Sequence, residues 1–435
     1  MSARDTALAA LIACRKANAW SDGVLKEYIR RDKLDRRDAA LASRLCYGVL
    51  QNRMLLDFYL ASFVRGKLKD LQPIVLDILR LGAYQLVLTD RIPDSAAVNE
   101  AVGQTKRYAN ARAAGLVNGV LRSLARSRDK LPVPPDLATK YSHPKELVEL
   151  LRGAVGTERL EALLQCNNAA PRTAVQVNPL RLSAATLKAR WTEAGVAYET
   201  LPWLPGCLEL SGAGGIEDLP GFSEGWFYVQ DPAARLAVLA AGLTPGMTVL
   251  DCCAAPGGKS FAAAMEMKNQ GKILACDLHA HKLSLIERGA ARLGITITQT
   301  LEQDASAPRP EWEGKMDAVL ADVPCSGLGV IRKKPDIRYK RTDELTRLPE
   351  IQSAILGNVC RYVKPGGVLL YSTCTILPRE NEDVVSAFLR SHPEFSAESM
   401  PLPAALNLPN AGMATLLPCE HGTDGFFLAR LRKKA

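Results

Sequence analysis

MTVLDCCAAPGGKS, Met247 to Ser260, begins as a short apolar run, ends that run on an acidic residue and turns through two adjacent glycines into a basic stretch. A run of this length bounded by turn residues reads as a buried strand. Glycines between a strand and a helix let backbone N–H groups approach a ligand, and the helix N-terminus adds the positive end of its dipole. Outward from this stretch the alternation repeats. A helix over 232–242 precedes it; strand KILACD, a helix over 280–293, strand MDAVLAD, a helix over 344–363 and strand VLLYS follow. Strand and helix alternating at this spacing predict an α/β fold with a doubly wound, mostly parallel sheet, whose ligands bind where the strands end and the chain order reverses.

The loop itself narrows the ligand. A phosphate-cradling P-loop needs a glycine five places before Gly258, where this chain has Cys253. The dinucleotide pattern G-x-G-x-x-G is also absent. Asp277, which ends KILACD 19 residues after Gly258, is spaced to accept hydrogen bonds from ribose hydroxyls. Asp304, closing TLEQD, is a further carboxylate at a strand end, within reach of an adenine amino group. A nucleoside without a pyrophosphate fits this set, and S-adenosylmethionine meets that description.

The rest of the chain of 435 residues divides by composition. From Ala3 to about Arg128 apolar residues recur at three and four, which predicts an all-helical domain. LPVPPDL, Leu131 to Leu137, sets Pro132, Pro134 and Pro135 close together and reads as a linker. The expected domains are therefore 1–135, all helical; 136–225, a small α/β connector with weak strands in TAVQVNPLRL and YETLPW; and 226–435, the α/β sheet. Residues 1–140 carry a net charge of +10 and the remainder −1. Such an asymmetry suits a polyanion, because Lys and Arg that meet phosphates release counterions. A charged N-terminus, no long apolar segment and irregularly spaced cysteines without a Cys-x-x-Cys pair predict reduced thiols, no metal site, no membrane span and a cytoplasmic protein.

Two cysteines stand apart from the others. Cys14, Cys46, Cys166, Cys252, Cys276 and Cys360 read as small core residues. Cys325, in DVPCSG after strand MDAVLAD, and Cys374, in TCT after strand VLLYS, fall at strand ends on the rim of the glycine loop. A thiolate there suits methylation of cytosine carbon 5. Attack at carbon 6 pushes electron density onto carbon 5, one hard step becoming two easier ones. Asp322, at the end of the same strand as Cys325, is placed to hydrogen-bond ring nitrogen 3 and the exocyclic amine. Amino-group methylation would call for an Asn/Asp-Pro-Pro-Tyr type of loop, where this chain has DVPC.

These motifs together resemble a known family. YVQDPAARLA (228–237), LDCCAAPGGKS, the Cys276–Asp277 pair, ADVPCSGLGVIRKKPDIRY (321–339), KPGGVLLYSTCT (364–375) and PRENEDVV (378–385) are similar to motifs of the RNA 5-methylcytosine methyltransferases of the Sun/NOL1/NOP2 family. The helical region resembles the NusB antitermination factor, in DRRDAALASRLCYGVLQNR and IPDSAAVNEAVGQTKRYANARAAGLVNGVLR. The resemblance implies a Rossmann-like S-adenosylmethionine-dependent methyltransferase domain, a monomer, and 16S ribosomal RNA as substrate. It implies Cys374 as nucleophile, Cys325 as the product-release residue, Asp322 as a base-binding group and Lys259 near the target base. Cofactor contacts are implied from Cys253, Ala254, Ala255, Pro256, Gly257, Gly258 and Lys259, and from Asp277, Asp304 and Asp322. The basic run Arg332, Lys333, Lys334, Arg338, Lys340 and Arg341 is then expected to grip RNA phosphates; at Lys334 family members often carry His or Asn.

Overall fold

A computed structural model describes residues 1–17, 20–211, 215–340, 344–409 and 411–435. The chain forms two compact units: Met1–Ala169 with Ile331–Lys340, and Ala170–Val330 with Arg341–Ala435.

The first unit is helical, as the periodicity predicts. Helices Ala3–Ala17, Ser21–Arg31, Arg36–Ala61, Pro73–Val87, Asp94–Tyr108 and Ala111–Arg126 bury Leu8, Leu45, Leu56, Ile78, Leu79 and Leu121 in one core. Their starts are set by capping residues: Asp35 accepts from Asp38 N and Asn110 from Ala113 N. The long third helix kinks at Asn52 (φ −117°, ψ 16°). There Leu55 N donates to Ser142 Oγ at 3.0 Å.

The compact units divide the expected connector 136–225. Helices Leu137–Tyr141, Lys145–Val155 and Thr157–Asn168 belong to the helical unit. The cause is polar satisfaction: Ser142 fills the gap in the kinked helix, and the carbonyls of Tyr141 and Asn167 are bonded by Arg338 of the same unit.

The second unit holds two sheets. The smaller is antiparallel, built from β1 (Thr173–Val177), β2 (Tyr198–Leu201), β3 (Leu204–Leu210) and β4 (Phe227–Val229) in the order β2-β3-β1-β4. The buried Trp191 of helix Ala184–Glu193 packs edge-on against Phe227 beneath it. The larger sheet has β5 (Thr248–Asp251), β6 (Lys272–Asp277), β7 (Thr298–Glu302), β8 (Met316–Asp322), β9 (Val363–Thr373), β10 (Phe395–Ala397), β11 (Met413–Leu416) and β12 (Phe426–Lys433). Its order is β10-β12-β9-β8-β5-β6-β7, with β11 beside β12. The pairs from β9 to β7 are parallel, whereas β12 runs antiparallel to β9, β10 and β11.

Neighbouring residues along these strands enter opposite cores. Val249, Ile273, Ala318 and Val368 face helices Pro232–Ala241, Gly258–Glu266 and Ala280–Leu293, while Leu250, Leu274, Val319 and Leu369 face Leu348–Val359 and Glu382–Ser391. Burial on both faces is why the parallel strands read as continuous apolar runs. The order reverses at β5, so the ends of β5, β6, β8 and β9 converge where a ligand is expected.

Candidate active site

The glycine turn follows β5 directly. Gly257 adopts φ +110° and a Cβ there would lie 2.4 Å from the Phe261 ring, so only glycine fits this turn into helix Gly258–Glu266. Ser260 Oγ donates to Asp251 Oδ2 at 2.7 Å, fastening the first turn of the helix to the strand it leaves. Burial pushes the Asp251 carboxyl up to about 6, with the Ser260 hydrogen bond and Lys259 opposing that rise.

Asp277, at the end of β6, is buried and accepts from Ala255 N at 3.3 Å and His279 N at 3.0 Å, so it braces the turn while each oxygen keeps further acceptor capacity. Asp304 lies two residues beyond β7 and is exposed. Ser306, through its hydroxyl and its backbone N–H, holds the Asp304 carboxyl below the usual range. Gln230, whose Nε2 would be 3.4 Å from a Cβ on Gly258, presents that buried amide donor to the turn without a protein partner. Backbone donors, two carboxylates and an unpartnered amide make a set that fits a nucleoside bearing an amino-acid end. Cys253 and Ala255 are half-buried in this turn and Ala254 is buried.

The two cysteines meet. Cys325 Sγ and Cys374 Sγ are 3.2 Å apart, both half-buried. Hydrogen bonding to Cys374, then burial, pushes the Cys325 thiol well above its ordinary value. Close by, Lys259 Nζ donates to Asp322 Oδ2 at 2.6 Å, and Ser372 Oγ donates to Asp322 Oδ1 at 2.8 Å across the β8–β9 pair. Burial works against the Lys259 charge, yet Asp322, Asp251 and Cys374 together hold its ammonium above the ordinary range. The site thus combines a sulfur pair, a fixed cation and an oriented carboxylate. Of the cysteines read as core residues, Cys46, Cys252, Cys276 and Cys360 are buried, whereas Cys14 and Cys166 are half-buried.

Backbone lacing keeps the sulfur pair in place. Gly329 N donates to Cys374 O at 3.0 Å, Gly425 N donates to Gly329 O at 2.9 Å, and a Cβ on Gly329 would lie 1.9 Å from Gly425 O. Sequence reasoning missed three buried side chains here: Gln352, Glu380 and Asn381. Glu380 Oε2 accepts from Ser326 N at 2.9 Å and Gln352 Nε2 at 3.1 Å. The only signal for the last two was the PRENEDVV motif, which carried no role by itself.

Arg338 corrects an expectation. It is 2% exposed and donates to Gln51 O at 2.8 Å, Tyr141 O at 3.2 Å and Asn167 O at 2.7 Å, so it is bound to backbone within the helical unit and does not present itself to phosphates. Arg332 and Lys333 are half-buried and Lys334 exposed, while Arg341 lies outside the described residues. Among the described residues no helix is long and apolar enough to cross a membrane.

Comparison with known proteins places the chain in a family. The family described as 16S rRNA methyltransferase RsmB/F matches residues 238–432, the NusB family residues 1–126, and the ferredoxin-like domain of RsmF/B-like methyltransferases residues 143–217. The chain is 38% identical to the probable ribosomal RNA small subunit methyltransferase B of Bacillus subtilis, covering 100% of this chain and 99% of that one. The crystal structure of PH0851 is 27% identical, with a TM-score of 0.82, and covers 98% of each chain. A structure of NSun6 from Pyrococcus horikoshii with SFG, 22% identical with a TM-score of 0.60, covers 67% of this chain and 98% of that one and shares the fold. Similar along its whole length to a relative of this kind, and matching the family pattern across the sheet that carries the paired sulfurs, the chain belongs to the RsmB/F family of 16S rRNA methyltransferases.

Proposed function

We propose that this methyltransferase modifies carbon 5 of a cytidine in 16S ribosomal RNA through a covalent adduct on Cys374. The observation that carries the reading is the 3.2 Å approach of Cys374 and Cys325 beside the Lys259–Asp322 pair. S-adenosylmethionine is the cofactor and supplies an electrophilic methyl group. Cys253 through Lys259, Asp277, Asp304 and Asp322 would hold it.

The thiolate of Cys374 adds to carbon 6 of the cytosine, forming a carbon–sulfur bond and shifting the ring electron pair toward carbon 5, which accepts the methyl group. Asp322, held by Lys259 and Ser372, orients the base by accepting from its exocyclic amine. Cys325 then assists removal of the carbon 5 proton, and the electron pair left behind expels the Cys374 thiolate, restoring the ring. Lys259, fixed as a cation, steadies negative charge on sulfur and ring alike. Arg332, Lys333 and Lys334 contact phosphates of the RNA, which acts in the cytoplasm.

Transfer of a labelled methyl group to 16S RNA, followed by a denaturing gel, tests this. Cys374→Ala is expected to lose methyl transfer by more than about a hundredfold and to form no adduct. Cys325→Ala is expected to accumulate a covalent protein–RNA species. Full activity in Cys374→Ala would overturn the assignment.

A further inference from the structure

Pro378–Glu380 forms a short turn beside the sulfur pair, and its last residue together with the next one, Glu380 and Asn381, is fully buried. Glu380 holds the backbone after Cys325 directly and the carbonyl before it through Gln352, while Asn381 holds the Thr373 hydroxyl and the Thr375 carbonyl on either side of Cys374. On the Cys325 side, Glu380 Oε2 accepts from Ser326 N at 2.9 Å and from Gln352 Nε2 at 3.1 Å, and that same Gln352 amide donates to Pro324 O at 2.9 Å. The residues flanking Cys325 are thereby fixed fore and aft. On the Cys374 side, Asn381 Oδ1 accepts from Thr373 Oγ1 at 2.6 Å and Asn381 Nδ2 donates to Thr375 O at 3.0 Å, bracketing the second cysteine in the same way. The two brackets are tied together, since Ser326 Oγ donates to Thr375 Oγ1 at 2.8 Å. The turn is itself pinned by Tyr371 OH, which donates to Glu380 O at 2.6 Å from near the end of β9.

A buried carboxylate spent on backbone and amide donors costs desolvation that packing alone would not call for. What it secures is the spacing of two loops, and a sulfur pair at 3.2 Å is sensitive to that spacing. We propose that Glu380 and Asn381 are positioning residues with separable roles. Glu380, through Gln352, sets Cys325 for product release, and Asn381 sets Cys374 for attack on the base. The proposal rests on the covalent reading above and divides its two half-reactions between two adjacent residues that act through the loops carrying the cysteines.

The experiment uses the full-length protein with 16S RNA and labelled cofactor, reading product and denaturation-resistant protein–RNA adduct from the same reaction, with Cys325→Ala as the reference. In Glu380→Ala, turnover falls and adduct accumulates toward the Cys325→Ala level, because misplacing a reacting group by about 1 Å costs on the order of a hundredfold. Glu380→Gln recovers most of the turnover and little adduct, since an amide oxygen accepts the same two bonds. In Asn381→Ala, turnover falls without adduct. If Glu380→Ala does not fold, as judged by its melting transition, Gln352→Ala removes the Pro324 bracket and is expected to give the same adduct. Loss of turnover with no adduct in Glu380→Ala or in Gln352→Ala, or adduct in Asn381→Ala, overturns the division of roles while Cys325→Ala still traps RNA. Absence of adduct in Cys325→Ala itself removes the covalent reading, and the proposal with it.

Discussion

At the scale of single residues, chemistry-bearing side chains were readable where a motif fixed their place at a strand end, and unreadable where long-range contacts decided their role. Cys325 and Cys374, 49 residues apart, meet because β8 and β9 are parallel neighbours ending in register, with Asp322 opposite Ser372. That pairing follows from the alternation of strands and helices, so the sulfur contact was implicit in the sequence. Arg338 shows the opposite case. Inside a run of six basic residues it reads as one more phosphate ligand, yet the kink at Asn52 and the turn at Ser142 leave carbonyls that a guanidinium fork satisfies. Its burial lowers its pKa to about 10. Arg338→Ala removes a buried guanidinium that donates to the carbonyls of Gln51, Tyr141 and Asn167 and is expected to destabilise the fold by on the order of 3 kcal/mol in denaturant titration. An unchanged midpoint together with weakened RNA binding would instead place Arg338 on the RNA.

At the scale of elements, the parallel strands were the most legible part. MDAVLAD coincides with β8, KILACD with β6, and the helix expected over 280–293 with Ala280–Leu293, because burial on both faces leaves an unbroken apolar run. The antiparallel edge escaped the reading. β12, FFLARLRK, carries Arg430 and Arg432, both held by Glu398 at 2.7 and 2.9 Å, and those charges hide a buried strand. β3 was obscured by Pro205 and Gly206 within it. Asp251, where β5 gives way to the glycine turn, makes a prediction at this scale. Its folded pKa near 6 stands above the ordinary carboxyl value near 4, so between these values the folded chain keeps a proton that the unfolded chain has released. The contribution to stability, about 3 kcal/mol at 1.36 kcal/mol per unit, is present at low pH and is lost as pH rises through about 6. Asp251→Asn is expected to flatten this part of the stability profile between about pH 4 and pH 7 relative to the parent. Parallel profiles for the two proteins would show that Asp251 does not titrate in this window.

At the scale of the whole molecule, the charge asymmetry read from the sequence falls largely on one compact unit, whose residues 1–140 carry the net +10. The sequence placed a boundary at the prolines near 131–137, but compactness follows hydrogen bonding, and the helices up to Asn168 stay with the helical unit through Ser142 and Arg338. A segment as distant as Ile331–Lys340 could not be assigned there from periodicity, because Ser21, Leu50 and Gln51 recognise it by polar groups. A basic unit of this kind predicts that affinity for 16S RNA falls by more than about tenfold between roughly 50 and 200 mM salt, while cofactor affinity stays nearly constant. A flat RNA affinity over that range would remove the electrostatic role. The central claim, a bond from the Cys374 sulfur to cytosine carbon 6, is tested most directly with RNA carrying fluorine at carbon 5 of the target cytosine. Fluorine cannot leave as the proton does, so the adduct persists after methyl transfer, and peptide mass spectrometry then locates the nucleotide. The peptide containing Cys374 is predicted to carry it; a nucleotide on Cys325, or on neither cysteine, would contradict the account.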